Sequence, residues 1–395
     1  MFCMPEDGHF KLLRPLISDF AQSGFAVHVF THRRYGPEVE RAGGIPVDLF
    51  AKYPLERADS ESVPVPCRYV SFAGTFAEQV VEALKRLRPV LVVYETFAVI
   101  GRLAARLLGV PYVNVSPCHN LDPARYLPML RVDPRVAISE RCHRAVETLR
   151  ERYALGDASP FSYITGLSPY LNICCEPPAF LTEEERKVFE PVSFYGTLPS
   201  PADSGERSTR SDDDPERVRI YVCFGTVAPK YYAGAALGVF QAVSECLESM
   251  PQARALISLG GIAFEAEALR RLARPNVTVV DYADQWRALG EADLFVTHHG
   301  INSTHEAIYQ RVPMLSYPFF ADQPALAERC REFGLAIPLA GSLRGAVSAQ
   351  QVRAGLGQVV ANRESLSASL ERARGWELEA IAGRPAVLQR ILSLV

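Results

Sequence analysis

Residues able to do chemistry gather at two places in the sequence, each just after an apolar run. The denser is Phe295-Val296-Thr297-His298-His299-Gly300-Ile301-Asn302-Ser303-Thr304-His305-Glu306-Ala307. Here a buried strand is expected to end at Thr297, with a helix starting near Ser303. The free N–H groups and positive dipole end of such a helix form an anion site. A histidine just before it can give one more donor to a phosphate oxygen, which suits a diphosphate that must leave with added negative charge. Ser303 to Glu306 also fits an S-x-x-E capping box, and on spacing alone the cap is favoured over a ligand role for Glu306. The second place joins His9, after a short first strand Phe2–Pro5, to Glu95 at the end of Val92-Val93-Tyr94-Glu95. A histidine oriented by a carboxylate can take a proton from a hydroxyl near neutral pH. Taken singly, His9 reads as a solvated or capping residue and Glu95 as the first polar residue at the surface.

Apolar strands alternating with amphipathic helices must position these residues. Strands are expected at Ala26–Thr31, 90–94, Tyr112–Val115, Leu171–Cys175 and Val192–Tyr195, with helices after Gly8-His9 and over Phe76–Leu87, Ile100–Leu108 and 134–153. Pro199 to Pro215 reads as a linker rich in Pro, Ser and charge. The pattern then restarts, with strands Arg219–Phe224, Ala255–Leu259, Val277–Val280, Leu294–Thr297 and Met314–Tyr317. Helices alternate with these strands, and the chain is helical in pattern from Ser348 onward. Two doubly wound parallel α/β domains follow, facing a central cleft, with ligands beyond the carboxyl ends of the strands. The expected boundaries are 1–199, a linker 200–216, 217–375, and a helical tail 376–395 that can cross back to the first domain. The brevity of the first strand raises the expectation that the natural start lies a few residues upstream.

Composition removes other classes. A net charge of −3 disfavours broad binding to nucleic acid or an anionic membrane. Nine cysteines without a C-x-x-C spacing support neither a zinc site nor a disulfide framework. No window nears the apolar length of a spanning helix and no signal peptide opens the chain, so a soluble, cytoplasmic protein is expected. No G-x-G-x-x-G follows a strand, which weakens a nicotinamide dehydrogenase. The run Asp212-Asp213-Asp214 lies in the linker, so no convincing D-x-D metal motif is left.

Three blocks in order, Tyr282-Ala283-Asp284-Gln285, Val296 to Ala307, and Pro318-Phe319-Phe320-Ala321-Asp322-Gln323, resemble the donor signature of family 1 glycosyltransferases. The likeness is greatest to the bacterial macrolide and natural-product type, and it extends more loosely over nearly the whole chain. It implies the GT-B fold and an inverting transfer of a hexose from a UDP- or dTDP-sugar to a small hydrophobic acceptor, without metal or other cofactor. It further implies that His298, Gly300, Asn302 and Ser303 contact the diphosphate, with Gly225 and Thr226 also touching phosphate. Glu306 would hold the ribose, Tyr282, Ala283 and Gln285 the base, and Asp322 and Gln323 the sugar. Gly8-His9 matches the family's catalytic base, and Glu95 stands where its partner aspartate is usual. His299 replaces a small residue, and Asp284 a proline. His119 and His305 are expected to face solvent. Phe72, Phe76 and 126–130 are compatible with an acceptor wall or with core packing. A nucleotide-sugar epimerase and a non-catalytic nucleotide-sugar-binding partner are the rival readings; acceptor, sugar and oligomeric state are open.

Overall fold

The computed structural model describes residues 1–62, 66–133, 135–198 and 218–395. The expected linker Pro199–Pro215, with its aspartate run, lies outside the described residues. Two compact units emerge: residues 1–196 with 380–395, and residues 197–379.

In the first unit the strands are β1 (His28–Thr31), β2 (Ile45–Asp48), β3 (Val92–Glu95), β4 (Tyr112–Ser116), β5 (Leu171–Cys174) and β6 (Val192–Phe194). β1 pairs with β2, and β3 to β6 pair in sequence order, all parallel. The expected strand Phe2–Pro5 shrinks to a bridge at Phe2, parallel to both Phe30 and Tyr94. It still joins the two ladders: Phe2 N–H donates to Val93 O and Cys3 N–H to Phe30 O. Beyond it Pro5 has no N–H to extend the ladder, and the helix Asp7–Gln22 begins at once. That helix buries Phe10, Leu12, Leu13, Leu16, Ile17 and Phe20 on one face, and Gly24 (φ +87°) turns the chain back.

The second unit holds β7 (Val218–Cys223), β8 (Ala253–Ser258), β9 (Val277–Val280), β10 (Leu294–Thr297), β11 (Met314–Ser316) and β12 (Ala336–Pro338). They form one parallel sheet in the order β12-β11-β10-β7-β8-β9. β10 and β11 are buried along their whole length, as continuous apolar runs covered on both faces require. Phe224, Phe240, Tyr317 and Phe319 anchor the core of this unit. In both sheets the order reverses beside the first strand: at Phe2 against β3, and at β7 against β10. Such a switch point opens a crevice at the carboxyl ends, where ligands of doubly wound sheets bind. Among the described residues no helix is long and apolar enough to cross a membrane.

β2 and β12 have no counterpart among the expected strands. Both are short and carry a proline (Pro46, Pro338), and β2 is partly exposed along its length. Sheet edges tolerate proline and lack the doubly buried signature that makes central strands legible.

Candidate active site

At the switch point of the first unit, β3 delivers Glu95, a carboxylate with no exposed surface. A buried charge must be compensated, and three donors converge on it. Met4 N–H reaches Oε1 at 3.0 Å, Phe97 N–H reaches Oε2 at 2.9 Å, and His9 Nδ1 lies 2.8 Å from Oε2. His9 stands inside the first turn of the helix Asp7–Gln22, not in the loop before it, because Asp7 opens the helix two residues earlier. Its ring packs on Phe97, centroids 4.2 Å apart. With Nδ1–H given to the carboxylate, the imidazole carries its lone pair at Nε2, the arrangement of a general base. The surface reading of Glu95 therefore fails.

At the switch point of the second unit, the turn after β10 places His298 at 7% exposure. A Cβ added at Gly225 would come 2.9 Å from His298 Nε2, and one at Gly300 would come 2.5 Å from it. Both glycines are needed so that the imidazole can sit between the turns after β7 and β10. Its Nδ1 is buried without a hydrogen bond. Burial pushes the imidazole down to about 4, opposed in part by the Cys223 backbone, so the ring is neutral at pH 7. Gly300 caps the helix Ile301–Gln310 with an extended backbone and no side-chain bond. As at any helix start, the carbonyls of the helix itself do not reach the N–H groups of its first turn.

The capping-box expectation for Ser303 and Glu306 is overturned. Since Gly300 takes the cap position, Ser303 is the third residue of the helix, and its hydroxyl donates to Gln285 Oε1 at 3.2 Å. Gln285 Nε2 in turn donates to Glu306 Oε2 at 2.8 Å. The structure thus brings Gln285, Ser303 and Glu306 together beside the helix start. Tyr282 is 70% exposed and Ala283 half-buried in the loop before the helix Gln285–Glu291. Asp284 caps that helix by accepting from Arg287 N–H, which gives a reason for aspartate there. Thr226 is half-buried beside Gly225. Asp322 and Gln323 are mostly buried at the start of the helix Gln323–Glu332. Gln323 Oε1 folds back to accept from Phe319 N–H at 2.9 Å and Phe320 N–H at 3.3 Å, shaping the loop that carries both residues.

Residues 220–366 match the family model described as UDP-glucoronosyl and UDP-glucosyl transferase. The zeaxanthin glucosyltransferase of Pantoea ananas is 28% identical over 262 residues, 60% of this chain and 57% of that protein. The NDP-glycosyltransferase YjiC of Bacillus subtilis is 24% identical over 355 residues, 86% of this chain and 83% of that protein. The crystal structure of the glycotransferase of kitacinnamycin superposes with a TM-score of 0.76 at 21% identity, covering 99% of this chain and 97% of that one. Over residues 220–366 the chain is thus similar to the UDP-glycosyltransferase family, and over most of its length to bacterial glycosyltransferases. Its architecture is GT-B, two Rossmann-like units with C-terminal helices.

Other histidines of the chain correct the sequence reading. His119 is 1% exposed, with Nδ1 2.8 Å from Oε2 of buried Glu176. His305 has no exposed surface, and its Nδ1 lies 2.6 Å from Glu377 on the long helix Arg363–Leu392. Each needed a carboxylate distant in sequence to be buried. His299 adopts a left-handed backbone (φ +60°) and turns inward, with Nε2 2.7 Å from Ser316 Oγ. Burial, then the adjacent His298, lowers it to about 3. Phe72 is core, packed against Phe50 and Phe76. On the helix Pro123–Val132 Tyr126 is buried, while Met129 is 48% exposed.

Two contributors went unread in the sequence. Phe97 is the aromatic face against His9, signalled only by its place two residues beyond Glu95. Gly260 (φ +69°) lets the turn after β8 meet that after β7, since a Cβ there would lie 2.1 Å from Gly225 O. Gly260-Gly261 following an apolar strand was the available signal.

Proposed function

We propose that this transferase moves a hexose from a UDP- or dTDP-sugar to a hydroxyl of a small hydrophobic acceptor, with inversion at the anomeric carbon. The observation that carries this reading is the His9–Glu95 pair, an imidazole 2.8 Å from a fully buried carboxylate. His9 Nε2 takes the acceptor proton as the oxygen attacks, and Glu95 stabilises the imidazolium. The second unit holds the donor. Neutral His298 and the amides opening the helix Ile301–Gln310 accept the negative charge that builds on the departing diphosphate, with Gly225, Thr226, Gly300, Asn302 and Ser303 around it. Fixed donors aimed at developing charge can each lower a barrier by about 3 kcal/mol, and here they take the place of a divalent ion. Gln285 sets Glu306 for the ribose, Tyr282 and Ala283 take the base, and Asp322 and Gln323 the sugar.

The acceptor class is supported by the relatives' names, which include a carotenoid glucosyltransferase and the glycotransferase of a natural product. We place the protein in a reducing, cytoplasmic compartment; its nine cysteines, all free thiols, favour this.

The test is a mass-spectrometric screen of UDP- and dTDP-sugars against polyketide, phenolic and carotenoid acceptors, with the anomeric configuration read by NMR. His9→Ala is expected to abolish transfer while binding donor as before. Turnover at the wild-type rate by that variant rejects the base assignment. Conversion of the sugar in donor alone rejects transfer in favour of epimerisation.

A further inference from the structure

We infer that Arg344 is a positioning residue that staples the phosphate loop to the sugar loop of the donor site. The inference rests on the reading that Gly225-Thr226 serve phosphate and Asp322-Gln323 serve the sugar. Arg344 lies outside all three donor-signature blocks, in the stretch Gly341-Ser342-Leu343-Arg344-Gly345. Its backbone is left-handed (φ +56°), a conformation that non-glycine residues hold only when their surroundings impose it.

The surroundings are explicit. Arg344 Nη1 donates to the Phe319 carbonyl, three residues before Asp322. The same nitrogen donates to Tyr232 Oη at 3.0 Å, and the guanidinium lies 4.6 Å above the Tyr232 ring. Tyr232 ends the short segment leading from Gly225-Thr226, and its ring stacks on Phe320 at 5.6 Å and 30°. Tyr317 Oη secures the far side by donating to Gly345 O at 2.9 Å. One guanidinium thus grips the loop after β11 by its main chain and the segment after β7 by an aromatic face. A planar fork that both donates and stacks is specific to arginine.

Gln323 Oε1 already ties the amides of Phe319 and Phe320 to the start of its helix, so the Phe319 carbonyl is the handle left to Arg344. Losing the staple frees the sugar-bearing loop, while the Gly225-Thr226 turn stays held by its own packing on His298 and Gly260 and the helix start at Ile301 is untouched. Recognition of the sugar should therefore fail separately from recognition of the diphosphate.

The test compares Arg344→Ala, Arg344→Lys and Asp322→Asn in the full-length enzyme. Calorimetry gives Kd for free UDP and dTDP, and initial rates give KM for UDP-glucose and dTDP-glucose. For Arg344→Ala the sugar-nucleotide KM is expected to rise about tenfold, the loss of one charge-assisted hydrogen bond. The diphosphate Kd should stay within about twofold, below the worth of any one such bond. Arg344→Lys keeps a cation near Tyr232 but lacks the fork and should fall between; it decides the matter should Arg344→Ala fail to fold. A KM that is unchanged, or that rises in step with the diphosphate Kd, overturns the staple. If Asp322→Asn raises KM and Arg344→Ala does not, the staple alone is wrong. If Asp322→Asn also leaves KM unchanged, the sugar-loop reading beneath it falls.

Discussion

Replacing Glu95 with aspartate, the family's usual residue at this position, should damage the enzyme. Aspartate is shorter by one carbon–carbon bond, about 1.5 Å. Glu95 now reaches His9 Nδ1 at 2.8 Å while accepting from Met4 N–H at 3.0 Å and Phe97 N–H at 2.9 Å. Pulled back by one bond, the carboxylate would stand about 4 Å from the imidazole, outside hydrogen-bond range. Hydrogen bonds to a charged partner contribute about 1.5–3 kcal/mol each. The lower figure alone slows turnover about tenfold, and the upper figure about a hundredfold. The assay is kcat/KM from initial rates for wild type, Glu95→Asp and Glu95→Gln, with donor Kd measured in parallel. Donor Kd should not move, because every residue proposed to hold the donor belongs to the other unit, residues 197–379. Glu95→Asp turning over as fast as wild type would refute the argument that glutamate length sets the geometry of the base.

Two further expectations concern the donor side. Gly300→Ala adds a Cβ 2.5 Å from His298 Nε2, while the backbone there (φ −64°, ψ 143°) accepts any residue. The fold should survive, and affinity for UDP or dTDP should drop about tenfold or more by calorimetry, the worth of one displaced charge-assisted donor. Burial holds His298 down to about 4 and His299 to about 3, against an ordinary 6.5. The unfolded chain thus binds more protons between these values, so stability is complete above pH 6.5 and is lost as pH falls toward 4. The slope is about 1.4 kcal/mol per pH unit for each histidine. Thermal melts across pH 4–7 read it, and an NMR titration placing His298 near 6.5 rejects it.

Central features of this fold could be read because burial on both faces leaves a mark in sequence. Leu294–Thr297 agrees residue for residue with the expected strand and is buried along its whole length; Val277–Val280 agrees too, but as a partly exposed edge strand legible from its β-branched residues. What could not be read depends on partners far along the chain. His305 and His119 look solvated until Glu377 and Glu176 arrive, 72 and 57 residues away. The serine-to-glutamate spacing at 303–306 mimicked a helix cap, yet the cap is Gly300, and its backbone needs no side-chain signal. In the candidate site, His9, Glu95 and His298 were visible by type and by their place after strands. Arg344 was not, because its partners are a main-chain carbonyl and a ring on separate loops.

The crowding around His298 also limits how this enzyme can change over generations. A Cβ at Gly260 would run into the Gly225 carbonyl, and one at Gly225 or Gly300 into the His298 ring, so a substitution at any of the three must displace main chain or imidazole. Tyr282 leaves 70% of its surface open. Libraries meant to redirect nucleotide preference should diversify around Tyr282 and leave the glycine turns intact, since variation at those turns would mostly return inactive clones.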